Sequence, residues 1–343
     1  MRRILITAWL LFGWIVNAPA LEDAAGQASL SVRPIALPEA GDGIGFDDLV
    51  FSPRLGKVIV PGGRSGNLYL IDSATRKITA IHGFSSGKEY KEGHGEGITS
   101  ADEGKGLIFV ADRTAGTLSA VDPVCEKIIA TTPLAGSPDY VRYILATDEI
   151  WVTQPNEQRI EIFSLSKGEP LQLTHADFIP VEGGPESLVY DGRRTRVYTH
   201  LWEGQSAVID VKERKVIATW PNGCEGSRGI GIDEALGFLF AACAEGKATT
   251  LDVDHDGKIL GNVEAGSGVD IIGYDAVLKR LYLPGAKSAK TAIVQVSPAG
   301  DLKLLQEVPT EMRAHCAVAD GTGQVWVCDP DNGRLLLLKD IFP

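Results

Sequence analysis

After residue 16 no apolar run approaches the roughly 20 residues that a membrane-spanning helix needs. No Leu-x-x-Cys lipidation site precedes a mature start either. Beyond the first 20 residues nothing repeats with the 3.6-residue period of an amphipathic helix, which argues against a helical bundle. Cys-x-x-Cys pairs, histidine-rich zinc motifs, glycine-rich phosphate loops and haem- or quinone-binding motifs are missing, so the common zinc, nucleotide and electron-transfer classes lack their usual signatures. Positive charge is scarce as well: 33 Lys and Arg stand against 45 Asp and Glu, a formal net charge of -12. An acidic field disfavours nucleic acid and anionic lipid surfaces and favours solubility and cationic partners.

What is present begins with a leader. Met1-Arg2-Arg3 precedes an uncharged apolar run from Ile4 to Val16 and then Ala18-Pro19-Ala20, the charged, apolar and small-residue regions of an export signal. Cleavage after Ala20 is expected, which makes residues 21–343 one exported domain, periplasmic or secreted, and a monomer without a membrane span. Losing Arg2 and Arg3 and no acid takes the net charge to -14. Export also places the five cysteines in an oxidising compartment, where disulfides form and one thiol is left over.

One motif recurs through the rest of the chain: an apolar run ending in Asp, a turn, then a Lys-led apolar run. Asn67-Leu-Tyr-Leu-Ile-Asp72 with Lys77-Ile-Thr-Ala-Ile81 and Ser206-Ala-Val-Ile-Asp210 with Lys215-Val-Ile-Ala-Thr219 are the clearest copies. Leu118 to Ala130 and Thr250 to Leu260 repeat it. Upstream of each hairpin lies a segment rich in β-branched and aromatic residues, as half-buried strands prefer. These segments begin at Lys57, Leu107, Glu149, Arg196, Phe238, Arg280 and Gln324, a spacing of 42 to 50 residues. With a further short strand before each, the pattern is that of an all-β, seven-bladed β-propeller with four-stranded antiparallel blades. The last repeat stops after its third strand, Arg334 to Leu338, and Ser31 to Leu37 is left over to close it.

At the stretch Leu70-Ile-Asp-Ser-Ala-Thr-Arg-Lys77 the chain resembles the YVTN-repeat, YncE-like family of exported propellers, and the resemblance runs from about Gly43 to Lys339. It implies the fold and a scaffold role, with no shared catalytic motif to carry over. The third and sixth repeats, from Glu149 and from Arg280, lack the Val-Ile-Asp element.

Aligning the repeats places Asp47, Glu96, Asp139, Glu186, Arg228, Asp270 and His315 just before the innermost strands, at the mouth of the central channel. Closure of a ring brings such positions together, and like charges at close range raise one another's pKa or recruit a cation. The competing reading is a set of hydrated polar caps in a wet pore, with Arg228 and His315 offsetting the acids. The expected function is a binding or scaffold protein that presents this mouth to a small molecule, a metal ion or a partner protein. A metal-dependent hydrolase or lactonase is the alternative, with Glu96, Asp139, Glu186 and Asp270 holding a divalent cation such as Ca²⁺ through oxygen. His94, in the flexible Gly93-His-Gly-Glu-Gly97 loop, is a candidate ligand contact beside Glu96.

Three weaker signals complete the reading. Asp252-Val-Asp-His-Asp-Gly257 starts like a Ca²⁺ loop but has Val263 where the closing acid belongs. Gly83-Phe-Ser-Ser-Gly87 matches a nucleophile elbow without the strand-to-helix setting. In the hairpin that turns at Gly321-Thr-Gly323, Cys316 falls opposite Cys328, which predicts a disulfide there. Cys224 with Cys243 is the second expected pair, and Cys125 is left free.

Overall fold

The computed structural model describes residues 31–168 and 170–342; the leader expected over residues 1–20 lies outside them. Seven separate four-stranded antiparallel sheets follow one another along the chain. Their innermost strands contact in cyclic order, the first touching the last, so the sheets form a closed ring of blades. The blades span 50–82, 98–133, 141–180, 189–221, 227–264, 273–309 and 317–339. Among the described residues no helix is long and apolar enough to cross a membrane.

The second strands begin at the seven expected residues, from Lys57–Pro61 to Gln324–Asp329. Both faces of these strands pack against neighbouring blades, which is why they read as unbroken apolar runs. Trp151, Trp326, Tyr198 and Tyr282 are among the side chains buried there. Outer strands face solvent on one side, and Lys127–Pro133 accordingly alternates exposed with half-buried residues.

The recurrent Asp has a local cause. Asp72 Oδ1 accepts the Thr75 amide at 2.7 Å, Asp122 Oδ1 those of Val124 and Cys125 at 2.8 and 3.1 Å, and Asp210 Oδ1 those of Lys212 and Glu213 at 2.9 Å. The carboxylate stands in for the ladder partner that the turn removes. In the third and sixth blades serine does this work: Ser166 Oγ accepts the Gln172 amide at 2.9 Å, and Ser297 Oγ those of Ala299 and Asp301 at 3.2 and 3.0 Å.

The seventh blade takes its outermost strand from the other end of the chain. Val32–Ala36 pairs antiparallel with Arg334–Lys339, from Val32 opposite Leu338 to Ala36 opposite Arg334. Pro34 lies on the exposed outer edge, where no ladder donor is needed, while Ile35 and Leu37 point inward at 9% and 6% exposure. The segment then reaches blade 1, where the Tyr69 hydroxyl donates to the Pro38 carbonyl at 2.7 Å.

A second tie crosses the channel below its mouth. Arg142 of blade 3 grips Asp48, just ahead of blade 1, through two hydrogen bonds of 2.5 and 3.0 Å. Ser100 of blade 2 donates to the same carboxylate at 2.7 Å and accepts the Val141 amide at 2.9 Å. One buried carboxylate thus joins three consecutive blades.

Cys224–Cys243 and Cys316–Cys328 are disulfides with Cα separations of 5.1 and 5.4 Å, and Cys125 is free and exposed. The second follows from the hairpin register, with Val318 opposite Trp326 and Ala317 opposite Val327. Peptide mapping without reduction is expected to recover both cross-links and an alkylatable Cys125; any cross-link from Cys125 contradicts this pairing.

Candidate functional site at the channel mouth

The Asp139 amide donates to the Thr153 carbonyl and the Glu186 amide to the His200 carbonyl, each at 2.9 Å. Thr153 and His200 are the fifth residues of their second strands. Carrying the pairings of the other blades to that level places Asp47, Arg228, Asp270 and His315 at the equivalent position. Blade 2 departs from expectation. In its inner strand, Ile98–Gly104, Ser100 lies opposite Ala111, the fifth residue of the second strand, so the residue at this level is Thr99. Glu96 sits in the loop outside the mouth with its side chain 43% exposed, 3.8 Å from Lys91 and beside Ser86, Gly87 and Thr114. It does not share the axial position expected for it.

A cavity of about 260 Å³ opens at the mouth, and its walls bring together Asp47, His94, Asp139, Glu186 and Asp270 with Arg113 and Trp202. Arg113 was not expected from the sequence. Its Nη2 bonds Asp139 Oδ1 at 2.5 Å and Asp47 Oδ2 at 3.3 Å, its Nε bonds the Pro138 carbonyl at 3.0 Å, and its Nη1 the His94 carbonyl at 2.9 Å. Trp202 Nε1 donates to Glu186, and Arg228 Nε stands 3.6 Å from the same carboxylate. Arg113, Pro155 and Trp202 share one place, the residue just after a second strand, and all three line the cavity. In blades 2, 3 and 4 that position lines the mouth, and counting six residues from the start of each of these second strands finds it.

Burial governs the acids. It pushes Asp47 up to about 7 against the pull of Arg113, with Asp270 adding repulsion. Asp139 rises to about 8, through burial and then the Asp47 charge, and Glu186 to about 9, through burial and then Asp139 and Asp270. Near neutral pH the ring therefore retains protons that a cation would displace.

His94 and His315 face each other edge-on, ring centres 5.5 Å apart. Their donor atoms and a carboxylate oxygen of Asp270 all lie within 4.8 Å of one another. The His94 loop reaches this place by passing close over Gly45, where a Cβ would stand 2.2 Å from the Gly93 carbonyl oxygen. Only glycine allows that approach.

The other signals resolve as structure. In the Asp252 turn, Asp254 is held by Arg194 at 2.6 Å and Asp252 by His255 at 2.8 Å, so its oxygens are engaged within the protein. Ser85, in the elbow-like sequence, lies in a loop and donates its amide to Asp112. His200 is wholly buried, bonded to Ser206 at 2.8 Å, and burial lowers its pKa to about 4.

No protein-family profile matches the chain, and no curated protein matches it in sequence. Solved structures do match in shape. A chain of the Mitotic Checkpoint Complex superposes with a TM-score of 0.72 at 11% identity, covering 97% of this chain and 99% of that one. Hydrazine synthase of Kuenenia stuttgartiensis gives 0.71 at 10% identity, over 88% and 97% of the two chains. The Cps50 (Swd1) β-propeller domain of Myceliophteria thermophila gives 0.71 at 12%, over 90% and 99%. The shared feature is the seven-bladed propeller. At these identities the likeness is one of fold.

Proposed function

We propose that this is an exported, non-enzymatic binding propeller whose channel mouth takes a cationic ligand, a metal ion or a protonated amine. The observation that carries the reading is the convergence of Asp47, Asp139, Glu186 and Asp270 on one small cavity, three of them with pKa values raised to between about 7 and 9. A cation entering the cavity replaces protons with a charge that all four acids attract. Hydrolysis by a carboxylate-bound metal has less support: Glu96 is elsewhere, Asp139 is bound by Arg113, and Glu186 by Trp202.

The sign of the pH dependence follows from linkage. Around pH 7–9 the folded chain binds protons at Asp139 and Glu186 that the unfolded chain has released, so stability falls as pH rises through this window. The thermal midpoint of cation-free protein is expected to drop between pH 6 and pH 9, and Glu186→Gln to flatten that drop. A ligand at 100 times its dissociation constant adds about 2.7 kcal/mol of stability. Should neither divalent ions nor alkylamines at millimolar concentration raise the wild-type midpoint, the reading fails.

A further inference from the structure

Among the mouth acids Asp270 differs from the rest. Asp47 and Asp139 share Arg113, and Glu186 accepts from Trp202. Among the described residues the Asp270 carboxylate accepts no hydrogen bond and makes no ion pair, yet two imidazoles stand beside it. One of them is also unsatisfied: His94 Nδ1 is shielded from solvent and has no hydrogen-bond partner, its nearest acid being Asp47 Oδ1 at 3.7 Å.

We propose that His94, Asp270 and His315 form a site for a divalent transition metal of the Zn²⁺ class. The proposal rests on the cation-binding reading of the mouth and narrows it. Two imidazoles and one carboxylate select zinc, copper, nickel or iron, whereas Ca²⁺ and Mg²⁺ take oxygen ligands. Three protein ligands also leave a coordination position open toward the cavity, as in zinc sites that bind a further molecule.

The backbone is arranged for this. The Asp270 and Ile271 amides both donate to the His315 carbonyl, at 3.3 and 3.0 Å, and the Cys316–Cys328 disulfide fixes the chain directly behind His315. Two donors are thereby held rigidly side by side. His315 Nδ1 lies 2.7 Å from the Arg313 carbonyl, the kind of outer contact that orients a metal-binding imidazole. Its Nε2, 3.0 Å from the Phe46 carbonyl, exchanges that contact for the metal.

The third donor is on an adjustable arm. Ligands on tetrahedral zinc at 2.0–2.1 Å lie about 3.4 Å apart, so the observed spread of up to 4.8 Å must close by up to about 1.4 Å. The His94 loop can supply that movement, because Gly93 and Gly97 on either side hold left-handed conformations, with φ of 83° and 77°, that glycine adopts and leaves freely.

The test uses the full chain without a polyhistidine tag, purified without chelator, and Co²⁺ as a spectroscopic probe with Zn²⁺ as competitor. One equivalent of Co²⁺ is expected to bind with visible d–d absorption and to be displaced by Zn²⁺. His94→Ala and Asp270→Asn are each expected to weaken binding about 100-fold, at or beyond the upper end of the 10–100-fold typical of outer-shell changes. Glu96→Gln, outside the mouth, is the control and leaves it unchanged. His94 is 39% exposed on a loop and Asn is isosteric with Asp, so both variants keep the fold. Absence of stoichiometric uptake by the wild type, or uptake untouched by His94→Ala, overturns the proposal. If Ca²⁺ or an alkylamine raises the midpoint while Co²⁺ and Zn²⁺ do not bind, the triad falls and the mouth reading survives; if no cation acts, both fall.

Discussion

A chain that begins at Glu39, and so lacks Val32–Ala36, is expected to unfold roughly 10 °C below one that retains the strand. Ile35 and Leu37 are buried, and each large aliphatic side chain removed from water is worth about 1.5–3 kcal/mol. Their loss also uncovers Leu336 and Leu338, now 3% and 1% exposed, and frees the ladder groups of Arg334–Lys339. The chain entropy recovered on releasing the strand opposes these losses. A net loss of about 3–5 kcal/mol remains, with an unpaired edge that favours self-association. Calorimetry and light scattering report the two effects. An unchanged midpoint would show that the seventh blade stands without its borrowed strand.

Arg142→Met is expected to cost about 3–5 kcal/mol, because it strands Asp48 as a buried charge at 2% exposure. The effect should spread beyond one contact, since Asp48 also holds Ser100 and through it the Val141 amide. Pairing the change with Asp48→Asn removes the orphaned charge and should recover most of the loss. Urea unfolding measures both variants; a cost below about 1 kcal/mol for Arg142→Met alone would mean that hydration of the channel already satisfies Asp48.

The fold was legible because each blade repeats the same local physics. Asp72, Asp122, Asp210 and Asp252 mark turns by capping amides, and the second strands are buried on both faces wherever they occur. Where serine replaced Asp, in blades 3 and 6, strand spacing still carried the repeat. The site was legible only in part. Six axial positions follow from counting back from the second strands, whereas in blade 2 that count ends on Thr99, three residues after the acid Glu96 in the neighbouring glycine-rich loop. Arg113 was missed because it reaches the axis from the far end of a second strand. Of the four acids first considered as metal ligands, three are elsewhere or engaged, and which arginine meets which acid is a property of the closed ring rather than of any segment.

The strand borrowed by the seventh blade also sets an order of events. Strands within a blade pair across short hairpins, as Asn67 does with His82, so the first six blades can form as their segments become available. Val32 must wait for Leu338. Closing a loop of about 300 residues carries an entropic term near 5 kcal/mol, against about 2.4 for a hairpin of 15. The last step of folding is therefore intramolecular and non-local, and its rate should be independent of protein concentration. Until it occurs, a bare strand waits at one end of the chain and an open edge at the other. Arg33 and Pro34, exposed on that strand, make it a poor partner for any edge but its own.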